Sequence, residues 1–383
     1  MIGWRLLRNP MGPALAGLVL LDYVFAAAGN GLDRLAQHTP GVERLVPAPF
    51  RARTALAAAS QAFAAQDGPA ALRHARQAVH HDPVSGEALG KLGLAHLLNA
   101  DGARASAAFT VAANTGWRDI PTQLYWYETA LGAGNALVAA QRLDAILRTR
   151  PQYPEADLLL ARLEATPDGR QALARQLAQR PKWLNRFMAP RPGMETQALR
   201  HRADVSTRIA ALQTRLGCPA VVSLTRKLLD TGLDKEARTV WEQHCGPAGP
   251  ADGLSDPDFR QLAQLGDAQP FGWRRHPSGD VTIRIEDGGA MTVANRDSVS
   301  RPLLSQVVHL APGSYRVKIG VQDKGTSRTL AAALNCQGRL DRPSFSANAD
   351  LVVGDCPKPL FSLWIASRTA DTGLLSVRLE KRD

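Results

Sequence analysis

Nine histidines, four cysteines and a few paired carboxylates are the side chains in this 383-residue sequence with the means to do chemistry. Their spacing decides what they can do. His80 and His81 are adjacent, so on a helix they point about 100° apart and make a poor shared metal site. They read as a solvated helix end. No G-x-S-x-G, H-E-x-x-H or P-loop pattern occurs. Glu286 and Asp287 stand beside Gly288 and Gly289, which is turn chemistry and not a poised acid and base. Cys218, Cys245, Cys336 and Cys356 form no C-x-x-C pair, and no histidine lies at zinc-finger spacing from them. Two local disulfides, 218–245 and 336–356, are the simplest pairing in an oxidising compartment. Four buried free thiols in a cytoplasmic protein are the alternative. No catalytic residue, metal or cofactor is therefore assigned, and the chain reads as a non-enzyme.

Charge narrows the partners. The net charge is +11, from 46 basic and 35 acidic residues. The excess peaks between Lys182 and Arg215, where residues 181–217 hold 7 basic and 2 acidic groups, a difference of +5. A nucleic-acid binder spreads its basic stripe over a folded face with aromatics interleaved. One short basic segment does not do this, so nucleic acid is not expected as a partner.

The N-terminus points to a membrane. Arg5 and Arg8 precede an apolar run from Met11 to Ala28 whose only charge is Asp22. As a helix, that run spans roughly 27 Å, close to a bilayer core. Two arginines before it place the N-terminus on the cytoplasmic side. Ala26 and Ala28 also give the A-x-A pattern of a cleaved signal peptide. Residues 1–32 are thus a signal anchor in the inner membrane or a cleaved signal, either of which exports the rest to the periplasm. A buried first helix of a soluble domain is the third reading.

Aromatics make up only 5% of the chain, so alanine and leucine must do much of the packing. Pro83 and Pro151 lie 68 residues apart, which suggests two periods of 34. Units starting at Ala52, Gly86, Ile120 and Pro154 place Ala59, Gly93, Tyr127 and Ala161 at the eighth position. Ala71, Ala105, Ala139 and Leu173 fall at the twentieth, and Ala75, Phe109, Leu143 and Leu177 at the twenty-fourth. "AQDGPAA", "NADGARA" and "GAGNALV" fall where each helix pair must turn. This pattern resembles the tetratricopeptide repeat, two antiparallel helices recurring every 34 residues. The early tryptophan of that family is missing, and Tyr127 puts a large ring in a small-residue column. The resemblance implies a binding scaffold that holds a protein partner on its concave face. Tyr125, Trp126 and Tyr127 are the candidate partner-contacting residues, with core packing as the alternative.

The organisation reads as residues 33–50 linker, 51–183 helical repeats, 184–205 a basic proline-rich irregular connection, and 206–246 a further helical hairpin. Residues 247–269 read as a second linker and 270–383 as a β-domain. In that hairpin Cys218 starts one helix and Cys245 ends the other, so antiparallel packing makes them neighbours.

Beyond residue 270, β-branched alternation replaces helical periodicity. "VTIRIE", "MTVAN", "SQVVHL", "YRVKIGV", "TLAAAL", "DLVV", "FSLWI" and "LSVRL" give about eight short strands, which argues for an antiparallel sandwich. "PFGW" followed by "GDVTIRIEDGG" and "LAPGSY" resembles the galactose-binding-like jelly roll of carbohydrate-binding modules. A glycan site needs aromatics to stack on a pyranose and polar groups at its rim. Trp273, Phe345 and Trp364 are the candidate platform, with Asp323 and Arg328 at the rim. Trp273 and Trp364 also fit as core, and Tyr315, a further aromatic, lies on the inward face of its strand.

The fold class expected is multidomain α + β: an N-terminal membrane helix, a tetratricopeptide-like solenoid and a C-terminal antiparallel jelly roll. The function expected is a non-catalytic periplasmic scaffold, in a setting that the resemblance places in bacterial surface-polysaccharide synthesis or export. The alternative is a lectin-like protein that binds polysaccharide through the sandwich.

Overall fold

The computed structural model describes residues 11–39, 41–246, 253–286, 288–308, 310–323, 328–343, 345, 350–356 and 359–382. Arg5 and Arg8 lie outside the described residues. The chain is multidomain α + β and divides into two compact units, Met1–Leu163 and Glu164–Asp383.

The first unit begins with helix α1 (Met11–Ala36), one helix long and apolar enough to cross a membrane. Every large apolar side chain from Leu15 to Phe25 is exposed. Its C-terminal end behaves differently. A Cβ on Gly29 would lie 2.3 Å from a ring carbon of Phe50, so the two segments touch only because residue 29 has none. Asp33 is buried and accepts hydrogen bonds from the Arg53 N–H at 2.8 Å and from the Thr54 N–H at 2.9 Å and hydroxyl at 2.7 Å. Helix α2 (Ala52–Ala64) has no capping side chain of its own at Arg51, so Asp33 supplies the missing acceptor. The stretch 33–50, expected as a linker, is thereby packed, with Val46 buried.

Three antiparallel hairpins follow: α2 with α3 (Gly68–His81), α4 (Gly86–Leu98) with α5 (Gly102–Thr115), and α6 (Ile120–Gly132) with α7 (Ala136–Thr149). Helix α8 is Ala156–Glu164. The turns are copies of one another. Gln66, Ala100 and Gly134, each 34 residues apart, have φ of 57°, 58° and 71°. The next residues, Asp67, Asp101 and Asn135, donate their N–H back to Ala62, His96 and Ala130 oxygens. Their side chains then accept from Ala70, Arg104 and Val138 N–H and cap the second helix. One residue thus ends one helix and starts the next.

Packing between paired helices differs from hairpin to hairpin. Ala59 and Ala75 share one buried cluster, Gly93 makes room for Phe109, and in the third hairpin Tyr127 and Leu143 are both fully buried. A Cβ on Gly93 would lie 2.7 Å from the Phe109 ring.

The second unit opens with α9 (Pro167–Leu177), α10 (Leu184–Met188), α11 (Thr196–Ala211), α12 (Cys218–Asp230) and α13 (Asp234–His244). Residues 184–205, expected to be irregular, instead hold α10 and the first half of α11. Leu199, Ala203, Ser206 and Ile209 give α11 one buried face. Its arginines hid that face, and they are paired. Arg202, with only 3% of its side chain exposed, lies 3.3 Å from the Glu164 carboxylate. It also donates to the Phe187 oxygen at 2.6 Å. Asp204 takes Arg170 and Arg208.

The β-sandwich closes the chain with nine strands among the described residues. A four-stranded sheet has the order β1 (Arg274–Arg275), β4 (Arg301–Val307), β8 (Leu360–Ile365), β6 (Leu330–Asn335). A five-stranded sheet has the order β2 (Val281–Ile285), β3 (Met291–Asn295), β9 (Thr369–Arg382), β5 (Gly313–Val321), β7 (Asp350–Val353). All pairings are antiparallel. Residues 253–269, within the expected linker, supply Leu254, Phe259 and Leu262 to the core between the sheets. Cys336 and Cys356 form a disulfide that joins the chain after edge strand β6 to the chain after edge strand β7.

Two substitutions test this account. Gln66→Gly removes a side chain from a left-handed position, which costs roughly 1–2 kcal/mol, and is expected to raise the melting temperature by a few degrees. Gly93→Ala gains about 1 kcal/mol of helix propensity but overlaps the Phe109 ring, and is expected to lower it. Thermal unfolding followed by circular dichroism reads both signs.

Candidate interaction surfaces

The repeats present one face that their own packing leaves uncovered. Helices α2, α4 and α6 are neighbours. Positions five, nine and twelve of each unit fall on one side of its first helix, because the spacings are four and three. In the fifth column Leu56 and Gly90 are buried, and Leu124 and Leu158 lie on this side; the ninth holds Ser60, Leu94, Glu128 and Arg162, and the twelfth Phe63, Leu97 and Leu131. Leu97 is 44% exposed and Leu158 62%, while Phe63, Leu94, Leu124 and Leu131 are half-buried. Glu128 and Arg162, one repeat apart, form an ion pair on this face. The Glu128 carboxylate holds the Arg162 pKa above its ordinary value.

The aromatic candidates of the third repeat mostly face the other way. Tyr125 stacks on Phe109 with ring centroids 4.2 Å apart, and Trp126 donates its ring N–H to the Phe109 oxygen at 3.2 Å. Both are half-buried. Tyr127 is 0% exposed, and its hydroxyl donates to the Leu159 oxygen at 2.6 Å. Burial raises its pKa. The partner-contacting reading of Tyr127 is therefore corrected: the large ring fills the small-residue column and reaches the next helix pair. An aromatic outside the repeat columns is more exposed. Trp117, in the turn before α6, lies under the Arg142 guanidinium at 4.1 Å. Only its place in a polar turn distinguished it in the sequence.

The sandwich aromatics do not form a platform. Trp273 is 1% exposed, sits between Phe259 and Phe361 at 5.5 and 5.9 Å, and donates to the Asp256 oxygen at 2.8 Å. Trp364 is 7% exposed and donates to the Ser362 hydroxyl at 3.0 Å. Tyr315 is buried and donates to the Ala311 oxygen at 2.8 Å. Phe345 is half-buried, and Asp323 and Arg328 are exposed. Stacking on a sugar needs an accessible ring face, so Trp273 and Trp364 are corrected to core residues.

A scan against known protein families found no matching model, and a search of curated proteins found no match. The reading of the surfaces therefore stands on geometry.

One polar pair has the look of catalytic chemistry. His276 Nε2 lies 2.8 Å from the Ser305 hydroxyl. A nucleophile and base also need an orienting group and an open approach. The nearby Asp267 carboxylate is held by the Arg275 N–H and guanidinium at 3.1 and 3.0 Å, and Ser305 is buried within β4. The pair holds β1 to β4. Among the described residues, no group of three or more His, Cys, Asp or Glu is placed to hold a metal.

The cysteines divide. The 336–356 bridge forms as expected. Cys218 and Cys245 are free thiols, which corrects the expected 218–245 bridge. The hairpin does make them neighbours: burial, and then a hydrogen bond with the Cys218 thiol, push the Cys245 pKa upward. Beside them, His244 Nδ1 accepts from the Leu216 N–H at 3.2 Å while Nε2 lies 3.0 Å from the Ser206 oxygen. That pattern requires a neutral ring protonated on Nε2.

Burial is the largest influence on His96, His201, His244 and His276, and it lowers all four pKa values. The unfolded chain then binds protons first as pH falls below about 6.5. Their contribution to stability is full above that pH and is lost as pH drops toward the lowered folded values. Urea unfolding at pH 7.5 and pH 5.5 is expected to show a lower midpoint at the acid pH. His244→Gln, which cannot take a charge, is expected to reduce that difference.

Proposed function

We infer that this protein is a membrane-anchored scaffold whose helical repeats, of tetratricopeptide type, bind a protein partner. The carrying observation is the leucine-rich face of α4, α6 and α8, to which α2 adds Phe63. It holds exposed Leu97 and Leu158 around the Glu128–Arg162 pair. An apolar stripe with charges at one place suits an amphipathic helix of the partner, laid in by its apolar side. Its anchors are spaced to meet leucines one repeat apart. Helix α1 supports the anchor: its exposed apolar stretch is of bilayer length, and its far end is held to the first hairpin by Asp33. A bridged cysteine pair suits an oxidising compartment, so the repeats face the periplasm in this reading. Surface-polysaccharide synthesis or export is the setting we propose for it. The sandwich, of galactose-binding-like type, serves as a structural module here, because its tryptophans are internal.

A photo-crosslinking residue placed at Leu97 or Leu158 in the native host envelope tests this. The expected result is one dominant protein adduct at both positions, lost when Leu131→Asp is added while the circular dichroism spectrum is kept. Absence of an adduct at both positions, with adducts instead from Asp323 or Arg328 to polysaccharide, would favour the lectin-like alternative.

A further inference from the structure

We propose that a cleft beside the membrane-proximal end of the repeats binds the phosphate of an anionic lipid headgroup. The cleft has a volume of about 440 Å³ and lies between the one-turn helix Val42–Arg44 and the first hairpin. Its floor is apolar, formed by Ala55 and Ala58 on α2. Arg44, Arg51 and His74 line it, with the Gln77 amide as a neutral donor; the Thr54 hydroxyl also lines it but gives its hydrogen to Asp33. The acid in its wall is Glu43, whose carboxylate is occupied by the Gly41 N–H at 2.6 Å.

The arginines are underused by the protein. Arg51 gives its Nε–H to the Val46 oxygen at 2.9 Å, which fixes the side chain and leaves its other N–H groups for a further acceptor. Arg44, among the described residues, makes no hydrogen bond or ion pair. Two guanidinium groups beside a neutral donor match a phosphate, which takes bidentate hydrogen bonds from arginine. An apolar floor under a cationic rim matches the glycerol and first methylenes of a lipid better than a free ion.

Position supplies the source. This step rests on the reading of α1 as a membrane anchor. A bilayer core takes about 20 residues of a helix, and α1 has 26. Its last turns, which carry Asp33 and lead to Glu43 and Arg44, therefore emerge within roughly 10 Å of the lipid surface at 1.5 Å per residue. That is about one Debye length at physiological salt. Leu35 and Leu45 flank the segment and are exposed, as expected of side chains that meet the headgroup region. Basic residues just outside a membrane span attract anionic headgroups of the leaflet that they face.

The test is thermal unfolding of the full chain in neutral detergent, titrated with dihexanoyl phosphatidylglycerol, dihexanoyl phosphatidylcholine or inorganic phosphate. The expected result is a saturable rise in melting temperature with dihexanoyl phosphatidylglycerol alone; an equal rise with the zwitterionic choline lipid overturns the proposal. Arg44→Ala should weaken its apparent affinity at least fivefold, and Arg44→Ala with Arg51→Ala more than tenfold. Arg104→Ala, an equal loss of charge at a remote turn, should leave it unchanged. Arg44 holds no other group in place, so its single variant tests the cleft without threatening the fold. No binding, or binding unaltered in the Arg44 and double variants, overturns the proposal. Inorganic phosphate binding as tightly as the lipid also overturns it, since the ligand is then a free anion. Extraction of the chain from membranes by alkaline carbonate would separately defeat the anchor reading, whatever the cleft binds.

Discussion

Each hairpin of the first unit turns on two adjacent residues, and the remaining geometry of the repeats follows from them. The first residue takes positive φ, at Gln66, Ala100 and Gly134. The second, at Asp67, Asp101 and Asn135, returns its N–H to the helix behind and offers its side chain to the helix ahead. Such a turn has no slack: the chain reverses in three residues, so the second helix must pack against the first in one register. Three repetitions at a spacing of 34 then set equivalent residues side by side. Asn99 uses the result, donating at once to the Ala95 oxygen and to the Gly68 oxygen of the preceding pair. The Glu128–Arg162 pair uses it too, on the outside.

This regularity is why the repeats were legible in the sequence. A capping Asp or Asn and a small residue at fixed offsets are visible without a structure. So was the alternation of the strands: eight stretches read from it correspond to strands β2 to β9, and only the two-residue β1 lies beyond them. What failed to show were features created by contacts between distant residues. Asp33 gave no sign that it caps α2, because the N–H groups it serves lie 20 and 21 residues away. Helix α11 read as an irregular basic segment, because Arg202 and Arg208 count as charges in a sequence. In the fold Arg202 is a buried, paired group lying over the Phe187 ring. A buried pair of this kind is costly to break from one side, so it fixes α11 where a purely apolar face would tolerate sliding.

The candidate sites were harder to read for a related reason. An aromatic residue looks the same in a sequence whether it fills a core or faces a ligand. In a chain with so few aromatics, most of the rings at core positions are drawn fully inside, where each replaces several smaller apolar groups, while Trp117 stays in part exposed. Trp273 anchors the space between the sheets, and Tyr127 reaches from α6 to the Leu159 oxygen of α8. What the protein leaves outside on the repeats is chiefly leucine, at positions meaningful only once the register is known. The exposed Leu158 and Leu97 lie in the fifth and twelfth columns, which the packing of the eighth, twentieth and twenty-fourth sets in register.

Two surfaces of the first unit thus differ in kind. The leucine face repeats from helix to helix, and a ligand on it would gain from length, engaging one column after another. The cleft at Arg44 and Arg51 occurs once, at the end where the solenoid meets α1, and its shape depends on that junction. The junction is rigid for a stated reason: Gly29 lets Phe50 against the helix, and Asp33 ties the helix to the first backbone amides of α2. A flexible tether after the apolar stretch would have let the repeats turn freely. A continuous helix, capped into the first hairpin, instead fixes the direction of α1 relative to that hairpin. Under the anchor reading proposed above, it would hold the leucine face at a set attitude to the bilayer, which would favour a partner whose own docking helix leaves the same membrane.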